Sequence, residues 1–474
     1  MFSKVSIYSL LLVLLSAKAF AATHKYQVKI DEKIEVAQVQ ICFDGKAPDY
    51  ISIPSKSGNR DLISFPLPNR GSIEIQGRYW ITKNLKANAC LRYSASLKRH
   101  LANRTKESKK RKNIVFIEEN TWLWLPEMGN TGNQIEISFN LPSWAEVSTP
   151  WQKLPDSINN FRLGNQPQEW GYSILIGDFD RKIKNIGTDS YLDIASVHHL
   201  ENRDKIIEWL QNVANGLDRY IGSYPTKQTQ IILISKTKYK SSPVPWARLT
   251  RGLGYGIQFV VVPTHEIEDF YKEITAAHEF SHQLLPKVHS DDIWLSEGLA
   301  TYLQYVLLAQ SGDMSSKDVW SNIYKGFQRG EDGTRKLNRE SLKQTTRLRK
   351  EKGRKGRSMR LYWSGTLYFL MADVALREKS NGKLGLNDLL RKLNGCCLDE
   401  AKVWSGSELV KQLDKLADKS IFTPLYVEFS NGIKFPEYEQ IFDRLGVKIE
   451  SDTSQTITIN PKSIATSILT PKNH

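Results

Sequence analysis

The sequence predicts an α+β, multidomain chain, with an N-terminal antiparallel β domain followed by a region rich in helices. Three observations carry this. The chain has 474 residues, and at roughly 100 to 200 residues per domain that length allows several units, each large enough to bury its own core. From Thr23 to about Asp180, short apolar runs alternate with polar residues and stop at Gly, Pro, Asn and Ser clusters, as half-buried strands joined by turns do. Beyond Ser196 the apolar period lengthens to that of a helix. A composition of 40% hydrophobic and 25% charged residues, with 29 Gly and 18 Pro, excludes collagen-like and wholly disordered classes.

Residues 1–21 stand apart from the fold. Lys4 supplies a positive start, Leu10 to Leu15 form an apolar block, and Ala19-Phe20-Ala21 before Ala22 has the small-residue spacing of a cleavage site, so this segment reads as a secretory signal peptide. The block is too short to span a bilayer core of about 30 Å. The later apolar stretch Leu361 to Leu376 is interrupted by Ser364, Thr366 and Asp373, so no transmembrane segment is expected in the mature chain. The expected location is periplasmic or secreted. In an oxidising compartment Cys42 and Cys90 are the candidate disulfide; adjacent Cys396 and Cys397 are left open between a bridge and two thiols.

Strands are expected at Lys25 to Ile30, Glu35 to Ile41, Ser72 to Ile75, Asn113 to Ile117 and Gln134 to Phe139. Then Ile206, Ile207, Leu210, Val213, Leu217 and Ile221 mark a helix, followed by β-branched strands at Gln230 to Ser235 and Gly256 to Val262. Further helices are expected at Ile267 to Leu285, Leu295 to Gln310, Leu361 to Arg377, Leu386 to Leu393 and Glu408 to Ala417. Phe422 to Ile449 reads as a closing irregular and helical piece, and the Ser/Thr-rich stretch from Ser451 as a fraying tail. The expected division is 1–21 signal peptide, 22–185 β domain, 186–395 catalytic domain, 396–450 C-terminal helical region and 451–474 flexible tail.

The net charge of +15 is concentrated. Segments 98–113 and 347–360 each hold eight Lys/Arg and one Glu, so the remainder is nearly neutral. They read as solvated loops, with contact to an anionic surface as the alternative. No basic sheet interleaved with aromatics and no zinc-finger spacing accompanies them, so no nucleic-acid partner is expected.

The chemistry-bearing pattern is A-A-H-E-F-S-H. His278 and His282, at i and i+4, fall on one face of a helix and can share a tetrahedral metal, while Glu279 stands where it can reach a water on that metal. A third ligand is needed, and Glu297 in W-L-S-E-G-L-A-T-Y supplies it. Pro286 ends the first helix and the polar loop Lys287 to Asp292 lets the chain return. Such a site holds one zinc ion.

With both motifs quoted, H-E-F-S-H followed by W-L-S-E-G-L-A-T-Y resembles the gluzincin metallopeptidases. The chain as a whole is most similar to the glycyl aminopeptidase family and more distantly to the aminopeptidase N family. L-Y-W-S-G-T-L-Y-F-L-M-A-D-V-A-L-R-E resembles the helix that carries that family's catalytic tyrosine, which places it at Tyr362. Y-V-E-F-S-N-G-I-K-F-P-E-Y-E-Q-I-F-D-R-L-G-V, from Tyr426, resembles the segment closing its helical region. The resemblance implies a thermolysin-like zinc peptidase domain acting on peptide substrates, with His278, His282 and Glu297 as ligands, Glu279 as general base and Tyr362 as donor to the carbonyl oxygen.

Three departures accompany the resemblance. The interval between His282 and Glu297 is shorter than in aminopeptidase N relatives, Ser364 replaces the lysine of the tyrosine motif, and in R-G-L-G-Y-G-I-Q-F Gly254 occupies the place of an amine-binding glutamate. The stretch Gly252 to Phe259 is expected to bind substrate backbone as an edge strand, through Gly252, Gly254, Tyr255 and Gly256. Asp292 is expected to orient a ligand histidine. The rival reading is a catalytically weak or inactive periplasmic binding protein that keeps this scaffold and docks polyanions through its basic loops.

Overall fold

Every second residue of Thr23–Ile30 is buried, so the strand turns Tyr26, Val28 and Ile30 inward, as a period of two requires. The structure, a computed structural model, describes residues 22–55, 59–102, 113–127, 133–155, 157–197, 200–236, 241–398, 401–450 and 456–471. The expected signal peptide and most of the basic segment 98–113 lie outside them. Thr23–Ile30 sits inside a seven-stranded sheet, between Val36–Cys42 and Gln134–Asn140. Its pairing with Gln134–Asn140 is parallel, which departs from the all-antiparallel expectation. The chain between these two strands is long enough to cross over, and a period of two is the same for either direction. Cys42 and Cys90 face each other in register on neighbouring strands and are joined. Trp80, Trp122, Trp124 and Trp151 fill the core beneath, with Trp80 stacked on Trp124 at 4.1 Å between ring centroids.

A second sheet of five strands runs in the order Asp180–Ile186, Ser190–Ser196, Gln228–Ser235, Gly256–Val261, Trp246–Thr250. The three central strands are parallel and the outer pairings antiparallel. Asp180–Ile186, assigned to the β domain from sequence, therefore belongs here. Its alternation fits any half-buried strand, and only its partner decides the sheet. Gly256–Val261 is interior rather than at the edge; the edge is Trp246–Thr250. The helix Arg203–Ile221 packs its apolar stripe, Ile206, Leu210, Leu217 and Ile221 among others, into the same core as Ile231, Leu233 and Phe259. Three buried glutamines tie this sheet to the β region: Gln228 donates to the Thr149 carbonyl, Gln230 to Ser148 Oγ and Gln258 to Ser173 Oγ.

The helix expected over Ile267 to Leu285 is three pieces: Ile267–Tyr271, Thr275–Ser281 and a 3-10 turn, His282–Leu284. Glu273 Oε1 accepts from both the Thr275 amide and hydroxyl, a local bond that starts a new helix and ends the old one. Ser316–Arg335 and Leu342–Glu351 are helices that sequence reading did not assign. The first of them contains Gly326 and Gly330. They are required because a Cβ at either would strike Trp363 or Phe435.

The second basic segment is not a solvated loop throughout. It runs through the end of the helix Leu342–Glu351 into Arg357–Lys379. Arg357 is paired with Glu340, and the buried Arg360 donates to the Glu340 carbonyl, Thr345 Oγ1 and the Gly432 carbonyl. The tail also departs from expectation. Val447–Glu450 pairs with Thr456–Ile459, and Ile464–Leu469 is a helix burying Ala465, Ile468 and Leu469. Cys396 and Cys397 are joined. Among the described residues no helix is long and apolar enough to cross a membrane.

Candidate metal centre

His278 lies in the helix Thr275–Ser281 and His282 opens the turn that continues it, so one turn separates them and their rings meet edge to face at 4.8 Å. Opposite them stands Glu297, in the buried helix Ile293–Ser311. Its Oε2 is 3.3 Å from His278 Nε2 and 3.7 Å from His282 Nε2. Metal bonds of about 2.0–2.1 Å in a tetrahedron place donor atoms about 3.3–3.4 Å apart, so the three side chains fit a zinc-sized cation.

The other ring nitrogens are occupied. His278 Nδ1 bonds Gln304 Oε1 at 3.0 Å and His282 Nδ1 bonds Ser296 Oγ at 3.0 Å. These bonds orient both rings so that the Nε2 atoms face Glu297.

Glu279 also lies with the two histidines, its carboxylate within 4.8 Å of their ring nitrogens. Its Oε2 accepts the Leu249 amide at 2.8 Å, which draws it to the edge strand. Glu297 Oε2 is within 3.7 Å of both Nε2 atoms, and the Glu279 carboxylate within 4.8 Å of the ring nitrogens, so both carboxylates stand at the histidine pair.

A close contact between helices positions Tyr362. Gly298 and Gly365 touch backbone to backbone, and a Cβ on either would collide with the other helix. Glu297 precedes Gly298 and Tyr362 lies one turn before Gly365, so this contact brings the phenol beside the carboxylate. The Tyr362 ring is 6.1 Å from that of His278, and the residue is half-buried.

Burial and charge set the protonation of the group without metal. Burial presses His282 down to about 3, against the pull of Glu297, so this imidazole is neutral. At Glu297 burial works upward, but the hydrogen bond from His278 and the charge of that imidazole hold it down to about 2. At His278 burial works downward and is outweighed by the bond and charge of Glu297, so its value rises. The contact of His278 with Glu297 thus occupies the place that a cation would take. Burial raises Glu279, and burial together with the charge of Glu297 keeps Tyr362 a protonated donor.

These groups line a cavity of about 320 Å³ whose other walls include Trp170, Ala247, Arg248, Leu249, Arg251 and Lys287. Two expectations are corrected here. Asp292 does not orient a histidine: it accepts from the Gly406 amide at 2.8 Å and the Tyr426 hydroxyl at 2.8 Å, which holds the loop to the helices behind the site. Gly252, Gly254, Tyr255 and Gly256 do not line the cavity. A Cβ at Gly252 would strike the Gly171 carbonyl and one at Gly254 the Pro150 carbonyl, so these glycines serve the contact with the β region. Gly254 therefore has no space for a glutamate.

Sequence reasoning missed Ser296, Gln304, Arg248, Arg251, Lys287 and Trp170. Gln304 was legible in principle, since it follows Glu297 by two helical turns and shares its face. The wall residues carried no such signal.

No family model and no curated protein matches the chain. Solved structures do. An aminopeptidase N family protein from Idiomarina loihiensis superposes with a TM-score of 0.65 at 14% identity, covering 90% of this chain and 79% of that one. The M1 zinc metallopeptidase from Deinococcus radiodurans gives 0.53 at 13% identity, covering 88% and 95%; a variant of it bound to a Tyr-Ser-Ala substrate scores the same. The α+β, multidomain fold is thus one that solved M1 zinc metallopeptidases share.

Proposed function

We propose that this chain is an exported zinc metallopeptidase that hydrolyses peptide bonds. The observation that carries the reading is the approach of one Glu297 oxygen to both Nε2 atoms, at 3.3 Å and 3.7 Å, with Glu279 beside them but not equivalent to Glu297. His278, His282 and Glu297 would hold one zinc ion, in a peptidase domain that begins at the strand Asp180–Ile186. Bound there, zinc supplies Lewis-acid polarisation of a carbonyl and a water acidic enough to attack near neutral pH.

The remaining steps belong to the chain's own groups. Glu279, anchored by the Leu249 amide, takes the proton of the attacking water and delivers it to the leaving amine. Its burial raises its proton affinity, which suits a group that must both accept and release. Tyr362 donates a hydrogen bond to the carbonyl oxygen as negative charge gathers there. Trp246–Thr250 leaves one side of its backbone unpaired within its sheet, so an extended peptide can lie along it as an added strand. Both disulfides suit an oxidising compartment, which supports export.

The test is a digest. Zinc-loaded protein incubated with a mixed peptide library should yield new termini by mass spectrometry, and a chelator should stop it. Absence of cleavage, with retention on a polyanion column that salt reverses, would favour the binding-protein reading instead.

A further inference from the structure

The cavity beside the metal group has an unbalanced charge inventory. Among the described residues its acids are Glu279, which accepts the Leu249 amide and attracts Arg248 and Arg251 in part, and Glu297, which faces the two histidines. Its cations are Arg248, Arg251 and Lys287. Lys287 makes no ion pair among the described residues; its ammonium stands 4.6 Å over the Trp170 ring. Arg251 donates Nη2 to the His282 carbonyl while its buried Nε has no partner. Arg248 has one acid in reach, Glu118 at 3.8 Å, and both side chains are about half exposed, which makes that pair weak. Outside the lining, the exposed Glu169 offsets Lys287 in part and Lys350 opposes it.

Leaving cations this close together in a partly dry cleft is costly unless an anion joins them. The strain is visible at Lys287, which burial, with Arg251 adding to it, pushes down to about 8. A substrate ammonium would add to the repulsion; a carboxylate would relieve it. The placement agrees, since Arg251 and Lys287 stand on walls of one small cavity with the metal group.

We propose that Lys287, Arg251 and Arg248 form a subsite for a carboxylate of the substrate, either an acidic side chain or the α-carboxylate of a chain end. This rests on the peptidase reading and gives it a substrate class: peptides carrying a negative charge near the scissile bond.

Four peptides of one sequence test it, with Glu or Gln beside the cleavage site and a free or amidated C-terminus. For zinc-loaded protein, kcat/KM should favour one carboxylate-bearing member over its neutral partner by about 10- to 100-fold, as a charge-assisted hydrogen bond allows. Which pair shows the ratio identifies the source of the carboxylate. Lys287→Met should bring that ratio toward one, and Arg248→Gln serves the same end if the first variant does not fold. Calorimetric binding of the same peptides to the metal-free protein is the independent readout. Cleavage without preference would overturn the subsite and leave the peptidase. Selective binding without any cleavage would do the reverse. Preference for the neutral peptides, or equal binding of all four, would overturn the proposal.

Discussion

The floor and the wall of one cleft differ in how their charges are matched. On the helical floor His278, His282, Glu297, Ser296 and Gln304 each have a partner, and the groups that would do chemistry are locked by bonds of 3.0 to 3.3 Å. On the wall Arg251, Lys287 and Arg248 have spare capacity, and their nearest supports are an aromatic ring, a backbone carbonyl and a half-exposed acid. Preorganised partners cost nothing to rearrange when a reaction develops charge, whereas unmatched charge is what a ligand can complete.

The largest effect expected on the floor is from Glu279→Gln. Turnover should fall by about 10²- to 10⁴-fold, the usual worth of a positioned base, while zinc content by elemental analysis stays that of the parent. Full activity in this variant would remove Glu279 from the mechanism. Tyr362→Phe should come next, with a loss in kcat of about 10²- to 10³-fold and little change in KM, because its bond strengthens only as charge appears on the carbonyl oxygen. A change confined to KM would make Tyr362 part of the binding wall instead.

Gln304→Ala should weaken zinc by about 10- to 100-fold in competition with a chelator, since it frees the His278 ring to turn. If affinity is untouched, the bond at Nδ1 is packing only. The smallest effect is expected on the wall. Lys287 loses its positive charge as pH rises through about 8, so the preference for carboxylate over amide peptides should be full below that pH and decline above it. Arg251 and Lys350 drive that proton off and Glu169 retains it, so a decline displaced to well above pH 8 would mean that bound carboxylate re-protonates the lysine. A ratio that rises with pH would contradict the wall's assignment.

Much of the floor was legible because its signals are local. The i, i+4 spacing of His278 and His282 needs only helical geometry, and Pro286 with the polar loop announces the return to Glu297. The alternation in Thr23–Ile30 likewise declares a strand but not its neighbours, which is why the parallel pairing with Gln134–Asn140 and the transfer of Asp180–Ile186 to the second sheet came only from the fold. Gly326 and Gly330 show a related limit: within the chain they weaken a helix, and their benefit is the approach of Trp363 and Phe435 from elsewhere.

What the amino-acid order determined by itself is the short-range part: the class of fold, the histidine pair, the carboxylate beside it and the candidate third ligand. Tertiary structure alone decided that Asp292 braces a loop, that Gly254 packs on Pro150, and that Arg251 and Lys287 meet across one cavity. The reason is physical. Helical and strand periods are set by neighbours in sequence, whereas the partner of a lone charge or a glycine is whatever the packed chain brings within a few ångströms of it.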